Sequence, residues 1–113
     1  MNVYDCANDL AKAMRESHEF KKLKEANDVL AKDQETKKLV DEFLQLNQEA
    51  EIAKYQGQEV PAEKTEKIKN LYNLLALKSE AMAYLNAFMH FQMMMADITK
   101  SINDVVKEVI GEK

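Results

Sequence analysis

The sequence predicts an all-α fold, and three of its features carry that prediction. The chain has 113 residues but only two glycines and one proline, so little in it would interrupt a helix. Apolar residues recur every three or four positions along most of its length. Asn2, Ser17 and Asp33 each precede such a pattern, and these residue types are favoured at helix N-termini. We expect one helical domain spanning residues 1–113.

Composition and charge narrow the class of protein. Hydrophobic residues make up 46% of the chain and charged residues 32%, which is typical of a folded globular domain. The net charge of −4 argues against a general binder of nucleic acid, because phosphate contacts need concentrated lysine and arginine. Cys6 is the only cysteine, so an intramolecular disulfide cannot form. The N-terminus does not resemble a signal peptide, and we therefore expect a cytoplasmic protein.

The first third of the chain predicts two short helices. Asn2 can cap a helix that ends near Ser17 and places Val3, Ala7, Leu10 and Met14 on one face. Ser17 can cap a second helix that ends near Lys32, and its apolar face consists of Phe20, Leu23, Ala26 and Leu30.

A long helical hairpin is predicted next. Asp33 can cap a helix from Gln34 to Gln56 whose seam, with the spacing of a heptad repeat, is formed by Leu39, Phe43, Leu46, Ala50 and Ala53. The segment 57–61 begins with glycine and ends with proline, which is typical of a turn between helices. Helical spacing then continues from Ala62 to Ile110 and includes Ile102, Val106 and Val109. This second arm either breaks near Lys78 and Ser79 or is one rod about twice as long as its partner.

The most apolar stretch of the chain is Ala81–Ile98, where only Asn86, His90, Gln92 and Asp97 are polar. A helix that is apolar around most of its circumference must be covered by several neighbours. The two short helices offer narrow apolar faces, so we expect a second subunit to complete the bundle, as a dimer or larger homo-oligomer. The polar residues within the stretch argue against a membrane span. The candidate interface or core residues are Leu85, Phe88, Met89, Phe91, Met93, Met94 and Met95.

Signatures of catalysis and of metal binding are missing from the sequence. Asp5 and Asp9 lie one helical turn apart but have no further ligands nearby, so we interpret them as N-terminal charges. His18 and His90 lack the Glu-x-x-His pattern of di-iron bundles. Consecutive methionines point in different directions on a helix, which favours packing over copper binding. We therefore predict no enzyme activity, no catalytic or metal-binding residues and no cofactor.

The alternative hypothesis is an accessory role in RNA processing, through contact with RNA or with a ribonuclease complex. Its candidate face is formed by lysines that alternate with acidic residues, and a neutralised face of this kind makes few contacts to phosphate. We therefore expect nucleic acid to be a less favoured partner than protein. The lysines of this candidate RNA face are Lys21, Lys22, Lys24, Lys37 and Lys38.

Several segments resemble the YlbF/YmcA-like family of small bacterial helical proteins, and its YheA-type branch most of all. They are the opening NVYDCANDLAKAMRESHEFKKLKEA, the DEF that follows a lysine-rich turn, the GQEVP link and the terminal DITKSINDVV. The resemblance implies an all-helical cytoplasmic protein that self-associates. It also implies a regulatory role in protein complexes, since family members influence competence, biofilm formation, sporulation and RNA processing by ribonuclease. Some members share an iron–sulfur cluster held by cysteines, which we do not transfer because Cys6 stands alone.

Overall fold

The computed structural model describes residues 1–111, which form five α-helices and no strand. The helices are α1 (Val3–Arg15), α2 (His18–Leu30), α3 (Gln34–Tyr55), α4 (Ala62–Leu75) and α5 (Ser79–Ile110). The predicted all-α class is therefore confirmed, as is the order of two short helices followed by a long hairpin. The sequence predicts that the end of the chain, Gly111 to Lys113, frays, and Glu112 and Lys113 lie outside the described residues.

The three predicted caps begin the first three helices. The Asn2 side chain accepts hydrogen bonds from the backbone N–H groups of Tyr4 at 2.7 Å and Asp5 at 3.3 Å. Ser17 Oγ accepts from the N–H of Phe20 at 3.1 Å. Asp33 Oδ1 accepts from the N–H of Thr36 at 3.2 Å. Each cap satisfies donors that the first turn of a helix leaves without an intrahelical partner.

Gly57 ends α3 in the manner the sequence predicts. Its φ of +75° lies in the left-handed region, which glycine enters without steric cost. The N–H of Gln58 donates to the Ala53 carbonyl at 2.8 Å, and the N–H of Gly57 donates to the Lys54 carbonyl at 3.0 Å. This pair of bonds is the Schellman arrangement of a helix end. It turns the chain so that α4 can return along α3.

The second arm of the hairpin breaks, which decides between the two alternatives that the sequence left open. α4 ends at Leu75 and α5 begins at Ser79. The Lys78 N–H donates to the Leu75 carbonyl at 2.9 Å, and the Lys78 carbonyl accepts from the Met82 N–H at 3.1 Å. Ser79 is therefore the first residue of α5 rather than its cap, and these backbone bonds close the connection between the two helices.

The chain divides into two compact units, residues 26–85 and residues 1–25 together with 86–111. The core of the first unit consists of Leu30, Val40, Leu75 and Ala81, all without exposure to solvent. Leu39, Phe43, Leu44, Tyr84 and Leu85 pack against it. Each core residue comes from a different helix, so this cluster joins the hairpin to the end of α2 and the start of α5.

Pairs of side chains fix the register of the α3–α4 hairpin. Lys64 Nζ lies 2.9 Å from Glu49 Oε1, and Lys67 Nζ lies 3.2 Å from Glu42 Oε1. The rings of Phe43 and Tyr72 lie 5.9 Å apart between centroids. Residue numbers rise along α4 as they fall along α3, so the two helices are antiparallel. Exposed ion pairs contribute little free energy, and here they favour one register rather than supply much stability.

We expect the Asp33 cap to make the stability of the fold depend on pH. Hydrogen bonds from the Thr36 hydroxyl and then from its N–H hold the pKa of Asp33 below the ordinary value of 3.8. A carboxylate with a lowered folded-state pKa stabilises the fold above its unfolded pKa, and this contribution is lost as pH falls through the folded pKa. We expect Asp33→Asn to lower the melting temperature near neutral pH, and we expect this difference to shrink below about pH 3.8. A difference that stays constant across pH, measured by circular dichroism, would contradict the role of the charged cap.

Candidate self-association surface

A continuous apolar seam runs along α5. Its residues are separated alternately by three and four positions, which keeps them on one face of a helix as in a coiled coil. The seam consists of Ala81, Tyr84, Phe88, Phe91, Met95, Ile98, Ile102, Val105 and Val109. A face of this length predicts packing against other helices from one end of α5 to the other.

The first part of the seam is covered by the chain itself. Ala81 is fully buried and Tyr84 packs against the core of residues 26–85. Burial, together with the nearby charge of Asp41, raises the pKa of the Tyr84 hydroxyl above its usual value. In the other unit the ring of Phe91 lies 6.4 Å from that of Phe20 in α2, centroid to centroid, at a tilt of 54°. Intramolecular contacts therefore reach at least as far as Phe91.

The last part of the seam is uncovered. Ile102 is 56% exposed, Val105 60% and Val109 85%, whereas Ile98 is partly buried. Val106 and Ile110 lie beside the seam and are also more than half exposed. Single exposed apolar residues are common on protein surfaces, but a contiguous stripe of them on one helix face marks an interaction site.

Few charged residues flank the uncovered seam. The positions that flank it are occupied by Thr99, Ser101, Val106 and Glu108, of which only Glu108 is charged. Lys100 and Asp104 form an ion pair of 3.3 Å one turn apart and lie away from the seam on the helix. A neighbour that covers the seam would therefore displace water from few charged groups, which lowers the cost of association.

α1 has no fully buried residue, and its partly buried residues are Cys6, Ala11 and Met14. Val3 and Tyr4 are about four-fifths exposed, although Val3 belongs to the predicted apolar face of this helix. A short helix gains most of its stability by packing an apolar face against other elements. The first and last helices of residues 1–25 and 86–111 therefore both present apolar side chains to solvent.

The seven candidate interface or core residues lie in different surroundings. Leu85 packs against the core of residues 26–85, and Phe91 contacts Phe20. Met89 and Met93 are more than half exposed. The residues that are partly buried are Phe88, Met94 and Met95. The assignment of these seven to an interface stays a prediction.

A surface hollow in the second unit lies between the start of α2 and the middle of α5. Glu19, His90 and Asp97 line it together with Met93, Met94 and Ile98. Nowhere in residues 1–111 do three histidine, cysteine or acidic side chains come together in a group that could hold a metal ion. Over the same residues, no helix is long and apolar enough to cross a membrane.

The lysines of the candidate RNA face differ in exposure. Lys21, Lys22 and Lys24 are exposed on α2, and Lys38 is exposed on α3. Lys37 is partly buried and lies 3.6 Å from Asp41, one turn further along the same helix. This ion pair neutralises part of the positive charge that α3 would offer to phosphate. RNA binding by this face stays a prediction.

The uncovered end of the seam lies beyond the seven candidate residues, of which Met95 is the last. The sequence places Ile102, Val106 and Val109 in the helical pattern without predicting them as interface residues, and Val105 belongs to neither set. The signal that could have found them is the unbroken alternation of three- and four-residue spacings through Val109. Composition favours residues 85–95 instead, because methionine and phenylalanine are concentrated there.

Comparison with known proteins identifies relatives over nearly the whole chain. The family model described as "Control of competence regulator ComK, YlbF/YmcA" matches residues 3–107. A UPF0342 protein of Caldicellulosiruptor saccharolyticus is 37% identical over 105 residues, which cover 93% of this chain and 88% of that protein. A UPF0342 protein of Staphylococcus aureus strain JH9 is 30% identical over 112 residues, covering 99% of this chain and 95% of that protein.

The matched region contains every element described above except the last residues of α5. Residues 3–107 begin with the first residue of α1 and include Ile102 and Val105 of the uncovered seam. The resemblance seen in the sequence is confirmed by this match. The chain belongs to the YlbF/YmcA family.

Proposed function

We propose that this chain is a non-enzymatic, cytoplasmic regulatory protein that acts through homo-oligomerisation and through binding of a further protein. The observation that carries the proposal is the uncovered apolar seam of α5 between Ile98 and Val109. The family description connects this fold to control of a competence regulator, which supports a regulatory role. No part of the proposal requires a reacting group, because the exposed seam binds by excluding water.

The size of the hydrophobic effect supports self-association. Burying one valine or isoleucine side chain contributes roughly 1.5–3 kcal/mol. The exposed residues at the end of α5 are Ile102, Val105, Val106, Val109 and Ile110, and a symmetric contact would bury them on both copies. Association of two proteins costs roughly 4–15 kcal/mol in lost motional freedom. Burial on two copies contributes twice as much as burial of one copy against a polar surface, which favours a second copy of this chain as the partner.

Light scattering after size exclusion tests the proposal at several protein concentrations. The chain has a mass of 13.0 kDa, so we expect a particle of at least twice that mass at micromolar concentration. The mass should fall towards that of one chain on dilution, because association depends on concentration. A folded protein with the mass of one chain at every concentration would refute self-association.

A further inference from the structure

We infer that the second copy pairs antiparallel with the first along the Ile98–Val109 segment of α5. The inference rests on the proposed self-association and adds its geometry. In this arrangement a two-fold axis passes between residues 103 and 104, so that Ile98 lies opposite Val109 of the second copy. Ile102 then lies opposite Val105.

The spacing of the uncovered seam suits this pairing. Successive seam residues Ile98, Ile102, Val105 and Val109 are four, three and four positions apart, so the spacing is the same in both directions along the helix. An antiparallel copy can therefore match all four residues of one chain with all four of the other. The match ends near the point where intramolecular cover begins, since Ile98 is partly buried and Phe91, one heptad earlier, contacts Phe20.

That contact also disfavours the parallel alternative. Two parallel helices in register would bring the two Phe91 side chains to the same level of the shared seam. Each Phe91 is already packed against Phe20 of its own chain, so the helices would have to separate directly before Ile98. In the antiparallel pair, the segments before Ile98 point away from each other and keep their own contacts.

Charges at the flanks are compatible with the antiparallel pair. Residues that flank one side of the seam face the same side of the partner helix, which places Glu108 near Ser101 and Thr99 near Val106. No like charges meet, although each chain has a net charge of −4. The helix dipoles also oppose each other, whereas a parallel pair aligns them.

Disulfide cross-linking distinguishes the two arrangements. Cys6→Ala is made first, so that only introduced thiols react. Ile98→Cys and Val109→Cys are then made in separate chains, one carrying a size tag, and are oxidised alone and as a mixture. The antiparallel pair predicts a cross-link between the two variants and none within either, because two copies of residue 98 would lie roughly 16 Å apart along the helix axis. A disulfide requires Cα atoms within about 7 Å.

The other outcomes of this experiment distinguish an error in the antiparallel geometry from an error in the proposed self-association. Cross-links within each variant alone would show a parallel pair and overturn the antiparallel geometry while leaving self-association intact. A dimer by light scattering that forms neither kind of cross-link would place the interface elsewhere and also overturn the inference. If the unsubstituted chain forms no dimer by light scattering, the proposed self-association itself is refuted. If the seam variants are monomeric, Ser101→Cys and Glu108→Cys at the exposed flank give the same test, with a mixed cross-link expected.

Discussion

Replacing Leu75 by alanine is expected to destabilise the fold by about 2–5 kcal/mol. Leu75 has no exposure to solvent and belongs to the core with Leu30, Val40 and Ala81, which come from three other helices. Truncation would remove apolar contacts to all of them and leave a cavity that tightly packed neighbours fill only in part. The free energy of unfolding from urea titration measures the effect.

Leu74→Ala is the matched control. It makes the same chemical change one position earlier in α4, but Leu74 is 51% exposed. We expect this substitution to cost less than about 1 kcal/mol, since surface substitutions have small effects. Equal losses from the two variants would mean that Leu75 is not the core position of α4.

The sequence predicts the helix ends well because these depend on neighbouring residues. Asn2, Ser17 and Asp33 cap the first turns with side-chain oxygens that reach backbone donors two or three residues away. Gly57 adopts the left-handed conformation in which other residues are strained. Such short-range interactions can be inferred from residue type and spacing alone.

The break between α4 and α5 could not be predicted with the same certainty. Ala76, Leu77 and Lys78 are all good helix formers, and neither glycine nor proline marks the break. Backbone bonds close the connection, and packing of Leu75 and Ala81 into one core fixes the two helices on either side. Tertiary packing therefore overrides local helix propensity at this point.

The uncovered part of α5 is likewise a consequence of tertiary structure. Composition makes residues 85–95 the most apolar part of the helix, but it does not show which side chains the rest of the chain covers. Phe91 contacts Phe20, a residue 71 positions earlier, and no local pattern predicts that contact. Val105 has an ordinary residue type, and only its 60% exposure on the seam reveals it as a candidate interface residue.

Val105→Glu is the second substitution with a large expected effect, in this case on assembly rather than folding. In the antiparallel pair Val105 lies opposite Ile102 of the second copy, so each copy would bury a carboxylate against an apolar side chain. An unpaired charge in such surroundings costs several kcal/mol, which corresponds to dissociation at least about 100-fold easier. Light scattering should then give a mass of 13.0 kDa at concentrations where the unsubstituted chain is larger.

Asn103→Glu separates the effect of position from the effect of charge. It adds the same negative charge two residues away, at an exposed position outside the seam. We expect this variant to keep the mass of the unsubstituted chain. Far-ultraviolet circular dichroism of both variants should be that of a helical protein, because neither Val105 nor Asn103 is buried within its own chain.

If both variants became monomeric, net charge rather than the α5 seam would govern assembly. If both stayed assembled, the α5 seam would not be the interface, and the uncovered face of α1 at Val3 and Tyr4 would become the surface to test.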